Sequence, residues 1–207
     1  MIVNAVLDHG IPYNYMFNAS RLKNDGALSG FYEFCMSIPK SCPNDYFFSG
    51  PRSSVLKFKV GIDPIRVKGH EMSMFAKLGL KEFKDTNLSN HEKVQNFLML
   101  HDAKTIAVEL PLWIENEEKL PLVEGNLTGH IDIIRVEDNK IWIWDYKPNA
   151  IKEKYASTQI FFYALMLKQR IGIPLENIRC AYFDGEEAFM FKPEDVRLDS
   201  RLNTHNP

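Results

Sequence analysis

The sequence predicts a mixed α/β (α+β) fold, in which a central mixed sheet is flanked by helices. Two segments with helical spacing come first, three segments rich in β-branched and aromatic residues follow, and a long helical segment separates these from further strand-like segments. Helices and strands in this order pack as layers around one core. At 207 residues the chain is long enough to bury such a core within a single folding unit.

The first two helices are predicted over residues 71–80 and 89–102, where apolar residues recur every three to four positions. Ser89 or Asn90 provides an N-cap for the second helix, because either side chain accepts a hydrogen bond from an unpaired backbone N–H at a helix start. Two helices are therefore expected ahead of the strands.

Three antiparallel strands are predicted next, because three successive segments concentrate β-branched and aromatic residues. They lie at residues 105–113, 126–136 and 140–147. The sequence Val-Glu-Asp-Asn-Lys supplies the turn between the last two. Residues 152–172 return to helical spacing, and Gly172 is expected to end that helix. A further strand or hairpin is predicted over residues 177–193.

The first 69 residues are predicted to form an irregular or short-helical cap, because turn-forming glycines and prolines recur throughout the first 50 residues. From Arg52 to Gly69, five cationic residues stand against the single acid Asp63. This basic segment is either a solvated strand pair or loop, or a surface that contacts phosphates. The expected domains are a cap with the basic segment at residues 1–69, a core at residues 70–195 and a polar tail at residues 196–207.

The composition favours an intracellular, cytoplasmic protein without membrane association. No window approaches about 18 uncharged apolar residues, and the N-terminal residues lack the basic-then-apolar pattern of a secretion signal. Cys35, Cys42 and Cys180 include no close pair, which fits reduced thiols. The formal charge of -2 excludes a polycation that coats nucleic acid, so an enzyme acting on nucleic acid needs a local basic patch and a metal ion.

Two carboxylates and a lysine on the last two predicted strands form a candidate catalytic site. Asp145 and Lys147 are two positions apart, so both side chains emerge on one face of the strand while Tyr146 points to the other. A tight turn brings Asp132 near Asp145, and the two carboxylates repel each other unless a positive charge lies between them. A divalent metal ion meets that requirement, and oxygen ligands favour Mg²⁺ or Mn²⁺. With Lys147 beside it, such an ion suits phosphodiester hydrolysis.

The chain resembles the PD-(D/E)XK nuclease superfamily in three motifs that occur in order. These are Gly129-His-Ile-Asp132, Asp145-Tyr-Lys147-Pro and Gln159-Ile-Phe-Phe-Tyr163. The resemblance covers roughly residues 70 to 190 and is closer to the RecB-like branch, which includes CRISPR-adaptation exonucleases. It implies a restriction-endonuclease-like core and Mg²⁺- or Mn²⁺-dependent hydrolysis of DNA. The catalytic residues that it implies are Asp132, Asp145, Lys147, Gln159 and Tyr163.

The resemblance also implies further metal ligands beside Asp132 and Asp145. The backbone carbonyl of Tyr146 is one, and Glu109 lies where such enzymes often have another acid. His70 is the candidate for an upstream histidine on the opening helix, with His91 as its competitor. Cys42-Pro43 is similar to the start of an iron–sulfur motif of this branch, but only Cys180 is present near the C-terminus. The cluster is therefore expected to be absent.

Three functions remain open at this point. The leading one is a nuclease that favours single-stranded DNA or DNA ends in repair, recombination or replication processing, with a separate helicase or recombination protein as partner. A second is a catalytically silent nuclease fold that binds nucleic acid. A third is a glycoside hydrolase that uses two carboxylates, which leaves Lys147 and Gln159 without roles. The alternative for Asp145 and Lys147 is a surface ion pair, and for Gln159 and Tyr163 it is helix packing.

Overall fold

The computed structural model of the protein describes residues 1–22, 28–115, 118–123 and 125–198. Within these residues, the strands are β1 (Ile2–Asp8), β2 (Pro12–Asn18), β3 (Ile65–Lys68), β4 (Thr105–Trp113), β5 (Thr128–Glu137), β6 (Lys140–Tyr146), β7 (Ile178–Phe183) and β8 (Glu187–Phe191). The helices are α1 (Ser29–Ser41), α2 (Asn44–Ser49), α3 (Glu71–Glu82), α4 (Asn90–His101) and α5 (Ala156–Ile171). None of these helices is long and apolar enough to cross a lipid bilayer.

The predicted mixed α/β class is confirmed, and the order of elements from α3 to β8 agrees with the prediction. Ser89 caps α4 through a capping box with Glu92, which satisfies two otherwise unpaired backbone N–H groups. Asp138 and Asn139 both have positive φ, as a two-residue turn between twisted antiparallel strands requires. Gly172 ends α5 in the left-handed conformation, with φ of 69°.

The strand order across the sheet is β1-β2-β4-β5-β6-β7-β8-β3. All neighbouring strands are antiparallel except β6 and β7, whose parallel pairing requires the crossover that α5 provides. The chain leaves β6 and soon enters α5, so the end of the strand and the first turns of the helix lie together. This junction positions the residues of the candidate site.

The expectation of an irregular N-terminal cap is wrong, because the segment contributes a hairpin and a long helix. β1 pairs with β2 along its whole length, and β2 joins the central sheet through β4. Tyr15 and Phe17 are fully buried and alternate with partly exposed residues, as a strand with one buried face requires. Gly10 lies in the hairpin turn with φ of 88°, and Pro39 lies near the end of α1. Gly10 therefore lies between two elements, and Pro39 lies in the last turn of α1, which continues to Ser41.

Hydrophobic side chains pack on both faces of the sheet. On one face, Ile143 of β6 packs in a cluster with Phe162 of α5. On the other face, Trp144 packs with Leu98 of α4 and with residues of α3. Because side chains alternate along a strand, Asp145 follows Ile143 toward α5. The carboxylate therefore lies at the end of an apolar row, where β6 meets the helix.

Candidate active site

Asp145 and Lys147 lie at the end of β6 and contact each other and α5. The Asp145 side chain is 1% exposed, and its Oδ2 atom lies 2.6 Å from Lys147 Nζ. Lys147 Nζ donates a hydrogen bond to Gln159 Oε1 at 3.1 Å, and Gln159 Nε2 donates to Tyr163 Oη at 2.8 Å. The four residues that the motifs predicted on β6 and α5 thus form one continuous chain of contacts.

Asp132 lies on β5 next to the end of β6. Its Oδ2 atom accepts a hydrogen bond from the backbone N–H of Tyr146 at 2.9 Å, which holds the carboxylate beside Asp145. His91 of α4 approaches the same oxygen, with its Nε2 atom 3.7 Å away, and its ring packs edge-on against the Tyr146 ring. The site is therefore enclosed by the sheet and by two helices, α4 and α5.

Glu109 is the third acid of the site and lies on β4. The register that pairs Val108 with Ile133 places Glu109 opposite Asp132. Its backbone has φ of 51°, which is uncommon for a residue other than glycine and persists only where the surrounding structure offsets its energetic cost. Gln95 of α4 donates a hydrogen bond from Nε2 to Glu109 Oε1 at 2.6 Å. The carboxylate is thereby held on the α4 side of the site.

Burial and mutual repulsion raise the pKa values of Asp132 and Glu109. Burial is the main cause of the pKa of Asp132 lying well above its ordinary value, and the charges of Asp145 and Glu109 add to it. Burial likewise raises the pKa of Glu109 to about 7. Burial acts to lower the pKa of Lys147, but attraction to Asp145 and Asp132 outweighs it, and the pKa is raised. The ammonium group therefore keeps its charge among acids that repel one another.

The two candidate histidines lie in different places. His70 caps α3, with Nδ1 accepting a hydrogen bond from Met72 N at 3.2 Å, and its ring lies 5.1 Å from that of Trp144. His70 lines a pocket with Glu137, Asp138 and Trp142, at the turn end of β5 and β6 and away from the three acids. Burial lowers the pKa of His91, which favours the neutral imidazole that binds metal ions. The structure therefore places His91 at the site and His70 elsewhere.

A family model of the PD-(D/E)XK nuclease superfamily matches residues 75–202, which is more than half of the chain. The chain belongs to the PD-(D/E)XK nuclease superfamily. Its mixed sheet with flanking helices is consistent with the restriction-endonuclease-like fold of that superfamily. Comparison with curated proteins gave no significant match. Membership of this nuclease superfamily indicates a hydrolase that acts on nucleic acid.

PD-(D/E)XK nucleases generally use divalent metal ions, typically Mg²⁺ or Mn²⁺. In the described part of the chain, no three acidic, histidine or cysteine side chains form a preassembled metal-binding cluster. Asp145 instead contacts Lys147, and Asp132 accepts the Tyr146 N–H. The residues nevertheless fit such an ion, because carboxylate oxygens are its preferred ligands and a cation relieves their mutual repulsion.

Gln95 is a residue of the candidate site that sequence analysis did not identify. It lies four positions after His91 on α4, so both side chains lie on the same face of the helix and reach the acids together. That spacing is the signal in the sequence that distinguishes His91 from His70. It becomes informative only once α4 is known to pack beside β4 and β5.

Proposed function

We propose that this nuclease is a Mg²⁺- or Mn²⁺-dependent deoxyribonuclease of the RecB-like branch that favours single-stranded DNA or DNA ends. The observation that carries the proposal is the position of the Lys147 ammonium, which contacts both Asp145 and Gln159. A surface ion pair would be solvent-exposed and would not require an amide from another element. The corresponding role is DNA repair, recombination or replication processing, with a separate helicase or recombination protein as partner.

In this proposal, Lys147 is the residue that contacts the phosphate. Its side chain is 19% exposed, so the ammonium remains accessible while it contacts Asp145 and Gln159. A fixed positive charge in a partly dehydrated cleft stabilises the negative charge that develops on the phosphate in the transition state, and its N–H groups orient the attacking water. Tyr163 accepts a hydrogen bond from the Gln159 amide, which prevents the amide from rotating and so fixes the ammonium.

The groups that would hold the metal ion are Asp132, Asp145, Glu109 and the backbone carbonyl of Tyr146. His91 is the proposed histidine in place of His70, because it lies beside Asp132. When bound, such an ion lowers the pKa of a coordinated water and offsets the charge of the phosphate. Gln95 keeps Glu109 oriented toward this group.

The segment of residues 52–60 supports the preference for single strands. Thr158 of α5 donates a hydrogen bond from Oγ1 to the carbonyl of Phe58 at 2.6 Å, which fixes the segment beside the helix that carries Gln159. Lys57 Nζ lies 5.6 Å from the centre of the Tyr155 ring. Cationic and aromatic groups along one path bind the backbone and bases of a single strand without reading its sequence.

Matched single-stranded and blunt duplex oligonucleotides, labelled at each end, test the proposal. With Mg²⁺ or Mn²⁺ at equal salt, we expect faster cutting of the single strand, no cutting in EDTA, and no cutting by Asp132→Ala or Asp145→Ala. The exposed Asp63 provides the control variant Asp63→Asn, which should cut normally. Near wild-type cutting by either alanine variant would overturn the site assignment. Equal or faster cutting of blunt duplex would overturn the single-strand preference alone.

A catalytically silent nuclease fold that binds nucleic acid is the second candidate. The observation that favours it is the contact of Asp145 Oδ2 with Lys147 Nζ, which takes up a carboxylate oxygen that the metal ion would need. The two candidates differ in one result. Tight binding of DNA without cutting in Mg²⁺, Mn²⁺ or both would establish the silent fold, whereas metal-dependent cutting would exclude it.

A further inference from the structure

A small polar cavity opens beside Gln159 and Tyr163, and the other residues of its lining have no role in the proposed mechanism. Its volume is about 140 Å³, and its lining also includes Tyr13, Arg52, Ser53, Ser54, Gly129 and His130. Pockets for whole small-molecule ligands are larger, on the order of 300–1,000 Å³. The cavity therefore suits a single phosphate group better than an entire nucleotide.

Arg52 is held in fixed geometry at the wall of this cavity. Its Nη1 atom donates to Tyr13 Oη at 2.6 Å, and its Nη2 atom donates to the backbone carbonyl of His9 at 2.7 Å. Neither acceptor is an anion, and no carboxylate of the described residues lies within ion-pair distance of this guanidinium. Arg135, in contrast, is paired with Asp102. A half-buried, oriented guanidinium without a counter-charge is suited to bind an anion such as phosphate.

The Gln159 side chain connects this cavity to the catalytic lysine. Its amide bridges Lys147 Nζ and Tyr163 Oη, and both Gln159 and Tyr163 line the cavity. The wall is closely packed at Gly129, where a Cβ atom would lie 2.4 Å from Tyr163 Cε1. One side-chain amide thus separates the ammonium from the cavity, so both can contact the same strand.

We propose that this cavity, termed the Arg52 pocket, binds the phosphate next to the scissile phosphate of the DNA strand. The inference rests on the proposed nuclease function and extends it by naming a contact that sets the position of the strand. The ligand is a phosphate group, supplied either by the neighbouring internucleotide linkage or by the terminal phosphate of a DNA end. Contacts of this kind position a strand without reading its sequence.

Binding of single-stranded DNA to non-cutting protein tests the pocket independently of catalysis. In the Asp132→Ala background, we expect Arg52→Gln to raise the Kd about tenfold. The slope of log K against log salt should become shallower by about 0.7, the value for one phosphate contact on a single strand. Arg52→Lys should recover the slope, because it keeps the charge. Arg179→Gln is the matched control, since Arg179 lies on the opposite face of the sheet, beside Trp142 in the register.

Modified oligonucleotides identify which phosphate the pocket binds. A neutral methylphosphonate is placed at one linkage at a time, and ends are compared with and without a terminal phosphate. If the ligand is an internucleotide linkage, one neutral linkage weakens binding to the parent but not to Arg52→Gln. If the ligand is a terminal phosphate, its removal has that effect instead. Either pattern supports the pocket, because the loss depends on Arg52.

Two results would overturn the proposal. One is a salt slope in Arg52→Gln equal to that of the parent. The other is a set of phosphate modifications that weakens the parent and Arg52→Gln equally, which would make Arg52 a support for Tyr13 and the hairpin. Thermal unfolding of both proteins shows whether the variant remains folded. If it does not, the Kd of Arg52→Lys provides the test, because a lysine lacks the paired N–H donors of a guanidinium and should bind the strand less tightly at an unchanged slope; an unchanged Kd would then overturn the pocket. Because no cutting is measured, failure of the nuclease proposal and failure of the pocket remain distinguishable.

Discussion

The ammonium group of Lys147 lies 2.6 Å from Asp145 Oδ2, and the Asp145 side chain is almost fully buried. Removal of one partner from a buried ion pair leaves an uncompensated charge, which typically costs about 3–5 kcal/mol. Lys147 therefore has two separable effects. It stabilises the folded protein in the absence of metal and, in the proposed reaction, it stabilises charge on the phosphate.

We expect Lys147→Ala to lower the cleavage rate about 10²- to 10³-fold and to lower the free energy of unfolding in EDTA by about 3 kcal/mol. Mg²⁺ should restore most of the stability, because the ion replaces the missing charge beside Asp145, but it should not restore the rate. Single-turnover cleavage and denaturant unfolding, each with and without Mg²⁺, measure the two effects.

Gln159→Ala is the matched control for that experiment, because it removes the amide that orients the ammonium and leaves the ion pair in place. Its rate should fall less than that of Lys147→Ala, and its stability in EDTA should fall by only about 1 kcal/mol. An equal loss of stability for Lys147→Ala in EDTA and in Mg²⁺ would contradict the proposed role of the charge.

The two histidines give a second prediction at the level of single residues. His91→Ala should weaken Mn²⁺ binding more than Mg²⁺ binding, because an imidazole nitrogen suits the softer ion and His91 lies beside Asp132. His70→Ala should leave both affinities unchanged and lower the free energy of unfolding by about 1 kcal/mol, because it removes the cap of α3. Calorimetric titration with each ion measures the difference. The reverse pattern would place the metal site on α3.

Among the helices and strands, the sequence predicted those in which the spacing of apolar residues agrees with the residues that mark the two ends. α4 has a capping box at its start, α5 has Gly172 at its end, and β5 and β6 are joined by a turn that its sequence identifies. The β1–β2 hairpin was missed because its stability depends on pairing with β4, which is distant in the chain. The local sequence pattern of a strand does not show which distant strand it will pair with.

In the candidate site too, some residues could be predicted from the nearby sequence, whereas others depend on elements that are distant in the chain. Asp145 and Lys147 were predictable because alternation along a strand fixes their common face, and Gln159 was predictable from its motif. Gln95 was not assigned a role because it acts through Glu109, and Arg52 was predicted only as part of a basic segment because its position depends on the N-terminal hairpin. Such roles depend on which elements become neighbours in the fold.

The attachment of the hairpin to β5 gives a prediction at this scale. His9, in the hairpin turn, and His130 of β5 are both buried, with His9 Nδ1 2.7 Å from His130 Nε2. Burial lowers the pKa of His9, and burial followed by repulsion from His9 and Arg52 lowers that of His130 to about 2. In the unfolded chain the His130 imidazole takes up a proton near pH 6.5, whereas in the folded protein it remains neutral. Its contribution to stability is therefore complete above pH 6.5 and is lost as the pH falls below that value.

Between pH 7.5 and 5.5, we expect His130 alone to account for a loss of about 1.4 kcal/mol in the free energy of unfolding, and His9 to add to it. Denaturant unfolding at both pH values should show a smaller loss for His130→Phe than for the wild type. Tyr13→Phe disturbs the same cluster without removing a histidine, so it should keep the wild-type pH dependence. An unchanged pH dependence in His130→Phe would show that the buried pair does not contribute.

Across the whole molecule, acidic and basic groups are unevenly distributed although the formal charge is only -2. Three acids gather where β4, β5 and β6 adjoin, and the segment of residues 52–60, with its cations, lies along α5 next to them. Phosphates are attracted to the segment and repelled by the acids. A strand is therefore expected to bind more tightly once a cation neutralises the acids, and metal binding and DNA binding should strengthen each other.

The same distribution predicts that the metal ion stabilises the whole fold. Binding to the folded state alone adds about 2.7 kcal/mol at a concentration of 100 times the Kd, which corresponds to a rise in Tm of roughly 5–10 °C for a domain of this size. The effect should grow with pH, because the ligand carboxylates must lose their protons and burial raises the pKa of Asp132 and of Glu109.

Asp132→Asn separates this effect from ordinary salt stabilisation. The amide keeps an acceptor for the Tyr146 N–H but removes a buried charge, so the variant should have a higher Tm than the wild type in EDTA at pH 8 and should gain little from Mg²⁺ or Mn²⁺. Asp63→Asn removes an exposed acid outside the site and should keep the wild-type response to metal. Thermal unfolding in EDTA, Mg²⁺, Mn²⁺ and matched NaCl measures these shifts. A metal-induced rise in Tm that is as large in Asp132→Asn as in the wild type would mean that the ion binds elsewhere, because a ligand set that includes Asp132 cannot survive its loss unchanged.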